Sequence, residues 1–404
     1  MNCTIITIGD ELLIGQVIDT NSAFIAQRMN EIGIAIERRI AISDSLSAIQ
    51  LTILEAWKTS PILIMTGGLG PTKDDITKKA LADLFQVGFK RDEPTFLHVK
   101  SFFEARKTPF LPVNEAQADI PDNAEVLFNA RGTAPGMWFD IDGKILICMP
   151  GVPYEMEYIM HTHVIEKLQS RFNLPALYYA YIQTCGLGES FLAKKISQIE
   201  DRLSAGIGLA YLPSPMAVNL RLSGQAEHRQ EIDLAAAAIQ SELSDYIFGI
   251  SKTPIEELVY HRLKENNQTI TLVESCTGGF ISHLLTNISG SSDVYIGGWN
   301  VYTNPFKTKQ LNILEATIRE HTAVSEECAR ELLEKALDKT NANYAIAVVG
   351  YLEKYEENKP HAYIAYGSSE DIRTKKVDLF QPRVKAKEAI AKVALVSLYR
   401  EFLI

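Results

Sequence analysis

Cysteine is scarce in this chain of 404 residues: Cys3, Cys148, Cys185, Cys276 and Cys328 are five in number, dispersed and never spaced as C-x-x-C. That pattern excludes a disulfide-stapled scaffold and a zinc finger, and it fits reduced thiols. An excess of positive charge is also missing. The formal net charge of −10 argues against nonspecific nucleic-acid binding, which relies on clustered Lys and Arg. No apolar run approaches the roughly 18–20 residues of a membrane span. The opening Met1-Asn2-Cys3-Thr4-Ile5-Ile6 lacks the basic and long apolar regions of a signal peptide. A cytoplasmic protein with neither a membrane nor a nucleic acid as partner is therefore expected.

What is present is an ordinary globular composition, 46% hydrophobic and 22% charged, with length for about two to four domains. Over 1–172 short apolar runs alternate with amphipathic helical stretches, the pattern of an α/β sheet covered on both faces. Strands are expected at Cys3–Ile8, Ile36–Ile42 and Pro61–Met65. Helices are expected near Asn21–Ile32 and Ser47–Lys58, capped by Asn21 and by Ser45 or Ser47.

The densest motif follows the third strand: Thr66-Gly67-Gly68-Leu69-Gly70-Pro71-Thr72-Lys73-Asp74-Asp75-Ile76-Thr77. Glycines at 67, 68 and 70 let the backbone turn tightly and bring its N–H groups to a phosphate at a helix N-terminus. Asp74 and Asp75 beside an anion then require a bridging cation or ligand hydroxyls and amines, and their alternative role is to cap the helix from Lys78 to Phe85. Ligands of such sheets sit at the carboxyl ends of the strands, so Gly9-Asp10-Glu11, Asp44 and this loop should share one rim. Two further turns, with Asn129, Gly132, Thr133, Pro135 and Gly136 and then Pro150, Gly151 and Glu155, flank an apolar hairpin. They add neutral donors and rigid loop shapes, or serve only as turns. His161 and His163 point to opposite sides of a helix and make no shared metal site.

A break at Pro175 introduces a small α+β stretch over 173–250: strand-like from Ala176 to Cys185, helical from Glu189 to Leu203, a strand pair near Ile207–Leu212 and Met216–Leu222, and a helix from His228 to Ser244. It carries no catalytic cluster and reads as a spacer or docking domain. Over 251–404 the strand Thr269–Val273 leads through Glu274-Ser275-Cys276-Thr277-Gly278-Gly279 into a helix at Phe280, and Tyr302-Thr303-Asn304-Pro305-Phe306-Lys307 follows another strand. Strand, small polar turn and helix expose a hydroxyl near free backbone N–H donors. Ser275 could act as a nucleophile if Lys307 took its proton. Lowering a lysine from about 10.4 to near 7.5 costs about 4 kcal/mol and demands burial or a nearby cation. The same turn also suits simple phosphate binding, and Cys276 is a rival nucleophile.

The order of Ile8–Gly15, Asp19-Thr20-Asn21, Thr66–Thr77, Gly132–Gly136 and Pro150–Met156 resembles that of the CinA-like proteins, over nearly the whole chain. The resemblance implies a fold of three α/β parts: a three-layer domain similar to the molybdopterin-binding fold, a small KH-like α+β domain and a CinA-type α/β domain. It implies metal-dependent hydrolysis of ADP-ribose in the first domain, with Mg, Mn or Co as the divalent metal. Asp75 would be catalytic, and Asp10, Asp44 and Asp75 the metal ligands. In the last domain, similar to nicotinamide mononucleotide deamidases, Ser275 would attack the carboxamide with Lys307 or Tyr302 as base. Thr277, Gly278, Gly279 and Asn304 would hold phosphate or oxyanion. A homodimer is implied as well. Where such deamidases carry a Gly-Ile-Ala-Gly-Pro-type loop, this chain has Val349-Gly350-Tyr351-Leu352-Glu353-Lys354, so bulky and charged groups replace a phosphate cradle. The first domain is therefore the expected seat of activity. Deamidation at Ser275, or ligand binding without catalysis to a pterin or nucleotide, are the alternatives. The KH-like part lacks a basic G-x-x-G clamp, so RNA is not its expected ligand.

Overall fold

A computed structural model describes every residue except Lys73, Pro175 and Ala176; the break expected at Pro175 and the strand start at Ala176 lie outside the described residues. The chain forms two compact units, Met1–Leu177 and Tyr178–Ile404.

In the first unit, a six-stranded sheet runs in the order Ala35–Ile42, Asn2–Ile8, Ile62–Thr66, Lys144–Met149, Gly136–Ile141 and Glu125–Leu127. The first four are parallel, and the last two are added antiparallel. The strand Ile62–Thr66 is buried throughout because each face is covered. Ile62 and Ile64 meet Ile25, Met29 and Ile159 on one side, whereas Leu63 and Met65 meet Ile49, Ile53 and Leu81 on the other. A run apolar at every position, in place of alternation, is what a two-sided burial requires. Each such side chain contributes roughly 1.5–3 kcal/mol when fully buried. The hairpin between Gly136–Ile141 and Lys144–Met149 closes through Asp142 and Gly143, both at positive φ, the backbone twist that two-residue hairpin turns favour.

Helix starts correct one expectation. Asp19, not Asn21, caps Thr20–Glu31 by accepting from Ser22 N at 2.8 Å, which frees Asn21 for another task. Ser45 caps Leu46–Ala56 as expected. Between Phe85 and Leu127 the chain builds elements the apolar pattern did not announce: a helix at Glu93–Ala105, a ribbon of Phe89–Arg91 with Asp119–Pro121, and a short turn at Ala116–Ala118. The strand Phe89–Arg91 is exposed at all three residues, so it left no alternation to read.

The second unit contains two sheets. One has four strands in the order Gly208–Ser214, Ala217–Gln225, Leu177–Cys185 and Ile247–Gly249, backed by helices Glu189–Glu200 and Arg229–Glu242. The other has five, in the order Tyr295–Asn300, Ile270–Glu274, Tyr344–Tyr351, His361–Gly367 and Ile372–Asp378; the first three are parallel and the last two antiparallel. The buried central strand Ile270–Glu274 delivers Ser275 at its carboxyl end. Among the described residues, no helix is long and apolar enough to cross a membrane.

Candidate functional site

Four parallel strands of the first sheet end on one rim, and their following loops enclose a cleft of about 360 Å³. Gly9 and Glu11 come from the first strand's end and Asp44 from the second's. Gly67, Gly68, Gly70, Asp74 and Asp75 come from the third, and Pro150 and Gly151 from the fourth. Thr133 and Glu155 complete the wall. The shared rim that the strand order implied is thus formed.

The glycine loop is held at both ends. Gly67 N donates to Met149 O at 3.1 Å, and Thr77 returns its N–H to Gly68 O and its hydroxyl to Gly67 O, each at 3.1 Å. Gly67 has φ +116, and a Cβ there would lie 2.3 Å from Ile8 O, so only glycine fits against the first strand. The alternative of Asp74 and Asp75 as helix caps does not hold. Thr77–Phe85 begins after Ile76 without any side-chain cap, and the Asp75 carboxylate instead accepts from Thr72 N at 2.8 Å and from the Thr72 hydroxyl. Thr72 therefore braces Asp75 and is not itself on the cleft wall.

Several expected ligand-binding residues prove to be braces. Asn21 donates to Thr66 Oγ1 at 3.1 Å and to Gly151 O at 2.8 Å, while Thr66 donates to Pro150 O at 2.8 Å. The two line a smaller adjoining recess together with Glu11. Asn129 spends its amide on Ala134 O at 2.9 Å, on Glu155 Oε2 at 2.6 Å and on Arg131 N at 3.0 Å. Gly132 is needed because a Cβ would fall 2.1 Å from the Glu155 carboxyl group. Pro135 and Gly136 lead into the buried hairpin and do not face the cleft. Asp10, expected as a metal ligand, is exposed and off the wall; its backbone N–H reaches Asp44 Oδ2 at 3.1 Å.

Two carboxyls of the cleft stand above the usual carboxylate range. Burial is the largest cause for Asp44, and the charges of Asp10, Glu11 and Asp74 add to it against the Asp10 amide. Glu155, 8% exposed, is pushed up by burial and held back by Asn129 and Tyr154. Hard oxygen donors for a cation are present in Asp44 and Asp75. Among the described residues, however, no three His, Cys, Asp or Glu side chains are grouped as a ready cage.

The second candidate lies in the five-stranded part. Ser275 is 8% exposed, its N–H tied to Val348 O at 3.1 Å. Lys307 is 2% exposed, and loss of hydration pulls its ammonium below the ordinary lysine range against the opposing influence of Cys328 and Cys276. Glu274 is engaged in capping Phe280–Thr286, accepting from Ile281 N at 3.0 Å and Ser282 N at 2.8 Å. The Thr277 hydroxyl is buried without a partner, and Lys387 Nζ lies 3.2 Å from where a Gly278 Cβ would be. Cys276, the rival nucleophile, is 4% exposed, and burial pushes its thiol up to about 12, which disfavours the thiolate that attack requires. Tyr302 is exposed, accepting from the Arg383 guanidinium at 2.6 Å, and Asn304 is exposed at the start of Asn304–Leu311.

Comparison with known sequences covers almost all of this. The model described as "Probable molybdopterin binding domain" matches 4–170, the "Damage-inducible protein CinA KH domain" matches 180–249, and the "CinA C-terminal domain" matches 252–402. A CinA-like protein of Flavobacterium psychrophilum is 39% identical, over 100% of this chain and 99% of its own. The chain belongs to the CinA family. A CinA-like protein of Cytophaga hutchinsonii is also 39% identical, over 93% of this chain and 92% of its own. The solved CinA of Thermoplasma acidophilum is 32% identical, covering 41% of this chain and 96% of its own with a TM-score of 0.38. The CinA C-terminal match includes Ser275 and Lys307, and it also spans the departure after Gly350. There the strand continues to Tyr351, which stacks on Tyr355 at 5.2 Å, and Glu353 pairs with Arg383 at 3.7 Å. The negative charge that Glu353 brings to this segment is therefore partly answered by Arg383.

Sequence reasoning missed Gln117, Leu69 and Val152 on the first cleft's wall. It also missed Lys78, whose Nζ donates to Gln117 O and Asp119 O and is pulled down to about 8 by loss of hydration. Leu69 and Val152 stood inside motifs already noted, so the loops themselves were the signal. Gln117 had none.

Proposed function

We propose that the chain is a hydrolase of nucleotide diphosphates, ADP-ribose foremost, acting in the N-terminal cleft with a divalent cation. The observation that carries this reading is the meeting, on one rim, of a braced glycine loop with Glu11, Asp44, Asp74, Asp75 and Glu155. The described wall of that cleft carries five carboxyl groups, an arrangement that a divalent cation bound with a diphosphate would relieve. A cation of the Mg²⁺ type takes one or two carboxylates and completes its shell with substrate phosphates, in keeping with oxygen donors but no full cage. Asp44 and Asp75 would hold it, and the chemistry it supplies is polarisation of a phosphoryl oxygen and acidification of water.

The remaining steps belong to the protein. Backbone N–H groups of the 68–70 loop would orient the phosphates, and Thr72 keeps the Asp75 carboxylate from swinging away. Glu155, on the cleft wall with its proton affinity raised by burial, would take the proton of an attacking water. The test is ADP-ribose turnover with Mg²⁺, Mn²⁺ or Co²⁺, in the parent and in Asp75→Ala. We expect chelation to abolish turnover and the substitution to lower it at least about 100-fold; an unchanged rate in Asp75→Ala removes the assignment.

A second reading is favoured by the burial of Lys307. Desolvation moves Lys307 in the direction that Ser275 chemistry demands, toward a lysine that can accept a proton. Hydrolysis of the nicotinamide mononucleotide carboxamide, measured as ammonia release lost in Ser275→Ala, is the corresponding test.

A further inference from the structure

Gln117 sits in the turn Ala116–Ala118, is 3% exposed, and belongs to the wall of the N-terminal cleft. Among the described residues, neither its amide nitrogen nor its amide oxygen has a hydrogen-bond partner. Burying both groups unpaired costs their hydration, and native proteins keep few such groups without a use. The backbone around it is fixed. Lys78 Nζ grips Gln117 O at 2.6 Å and Asp119 O at 3.0 Å, Asp92 N donates to Ala118 O at 2.9 Å, and Arg91 pairs with Asp119 at 2.9 Å. A rigid turn thus carries one side chain whose bonding capacity is wholly unspent.

A carboxamide offers an acceptor and a donor side by side. Phosphate oxygens only accept, so the diphosphate cannot satisfy both atoms. A planar heteroaromatic edge with adjacent donor and acceptor can, as in the bidentate pairing of glutamine with the adenine N6 and N7 positions. We propose that Gln117 reads the base of the ligand in the N-terminal cleft, its amide rotating about the side-chain torsions to meet an adenine edge. Rotamer changes of this size are common on binding. The assignment rests on the nucleotide-diphosphate reading above, and a pterin ring would present the same kind of edge.

The experiment is calorimetric titration of the full chain with ADP-ribose, neopterin and inorganic pyrophosphate in the presence of Ca²⁺ in place of the activating metals, with the titrant checked intact after each run, comparing the parent with Gln117→Met. The expected result is a roughly 5- to 150-fold loss of affinity for ADP-ribose with pyrophosphate binding unchanged. The free variant should melt no lower than the parent, because an unpaired amide has given way to an apolar chain of similar shape. Equal losses for ADP-ribose and pyrophosphate would mark Gln117 as structural and overturn the proposal, as would undiminished ADP-ribose binding. If the parent takes neopterin in place of ADP-ribose and Gln117→Met loses it, base reading stands while the ADP-ribose reading falls. If the parent binds pyrophosphate but no base-bearing probe, Gln117 loses its role and the phosphate cleft survives. Should Gln117→Met fail to fold, Gln117→Asn keeps the amide but withdraws it by one methylene, and it must show the same selective loss.

Discussion

In the N-terminal cleft the charges are carboxylates, and Asp44 is raised first by burial and then by the neighbouring charges of Asp10, Glu11 and Asp74. In the C-terminal cluster Lys307 is buried, and loss of hydration lowers its ammonium against the opposing influence of Cys328 and Cys276. The first arrangement is relieved by adding a cation; the second is relieved by losing a proton. On the proposed readings two hydrolytic chemistries would follow from that difference, one dependent on metal and one on pH, and each should be removable without the other.

The largest separation is expected at Ser275. Ser275→Ala should lower ammonia release from nicotinamide mononucleotide about 10³-fold or more, since a nucleophile is removed outright, and leave ADP-ribose turnover at the parental rate. Lys307→Arg sharpens the point, because a guanidinium does not deprotonate in a protein. The parent should gain activity as pH rises through the lowered lysine value, whereas Lys307→Arg should show no such limb. Ammonia release persisting in Ser275→Ala would end the catalytic reading of that cluster.

A smaller effect, confined to the other unit, is expected from Gly67→Ala. The new Cβ must escape Ile8 O at 2.3 Å from a backbone at φ +116, a strain on the order of 1–3 kcal/mol. Loop displacement should cut ADP-ribose turnover about 10- to 100-fold and spare ammonia release. Parallel loss of both activities would show that the two sites are not independent.

The contrast also explains what was legible in the sequence. Ile62–Thr66 could be read because two-sided burial writes an unbroken apolar run, and the loop after it because close backbone approach leaves only glycine. Lys307 was legible as a candidate base but its burial was not, since that burial arises from packing between distant segments. Asn21, Thr66 and Asn129 look like ligand donors in one dimension. Their partners lie 45 to 130 positions away or across a turn, and those contacts convert them into braces. Gln117 was silent because its meaning is the absence of a partner, which no local pattern records.

The smallest and most discriminating effect is expected at Asp44. Asparagine there keeps an oxygen for the Asp10 N–H, now 3.1 Å away, and removes the charge. A carboxyl whose folded value is raised does no harm below the unfolded value of about 3.9, where both states are protonated; its cost grows as pH rises through the folded value and is complete at neutrality. Asp44→Asn should therefore match the parent near pH 3 and exceed it by a few tenths to about 1 kcal/mol at pH 7. Mn²⁺ should reverse the order, stabilising the parent and not the variant, and turnover should follow the metal. Denaturant titrations at the two pH values, with and without Mn²⁺, read all of this. A variant less stable than the parent at pH 7 in metal-free buffer would mean that the cleft's acids are not poised against one another, and the case for a cation there would lose its electrostatic ground.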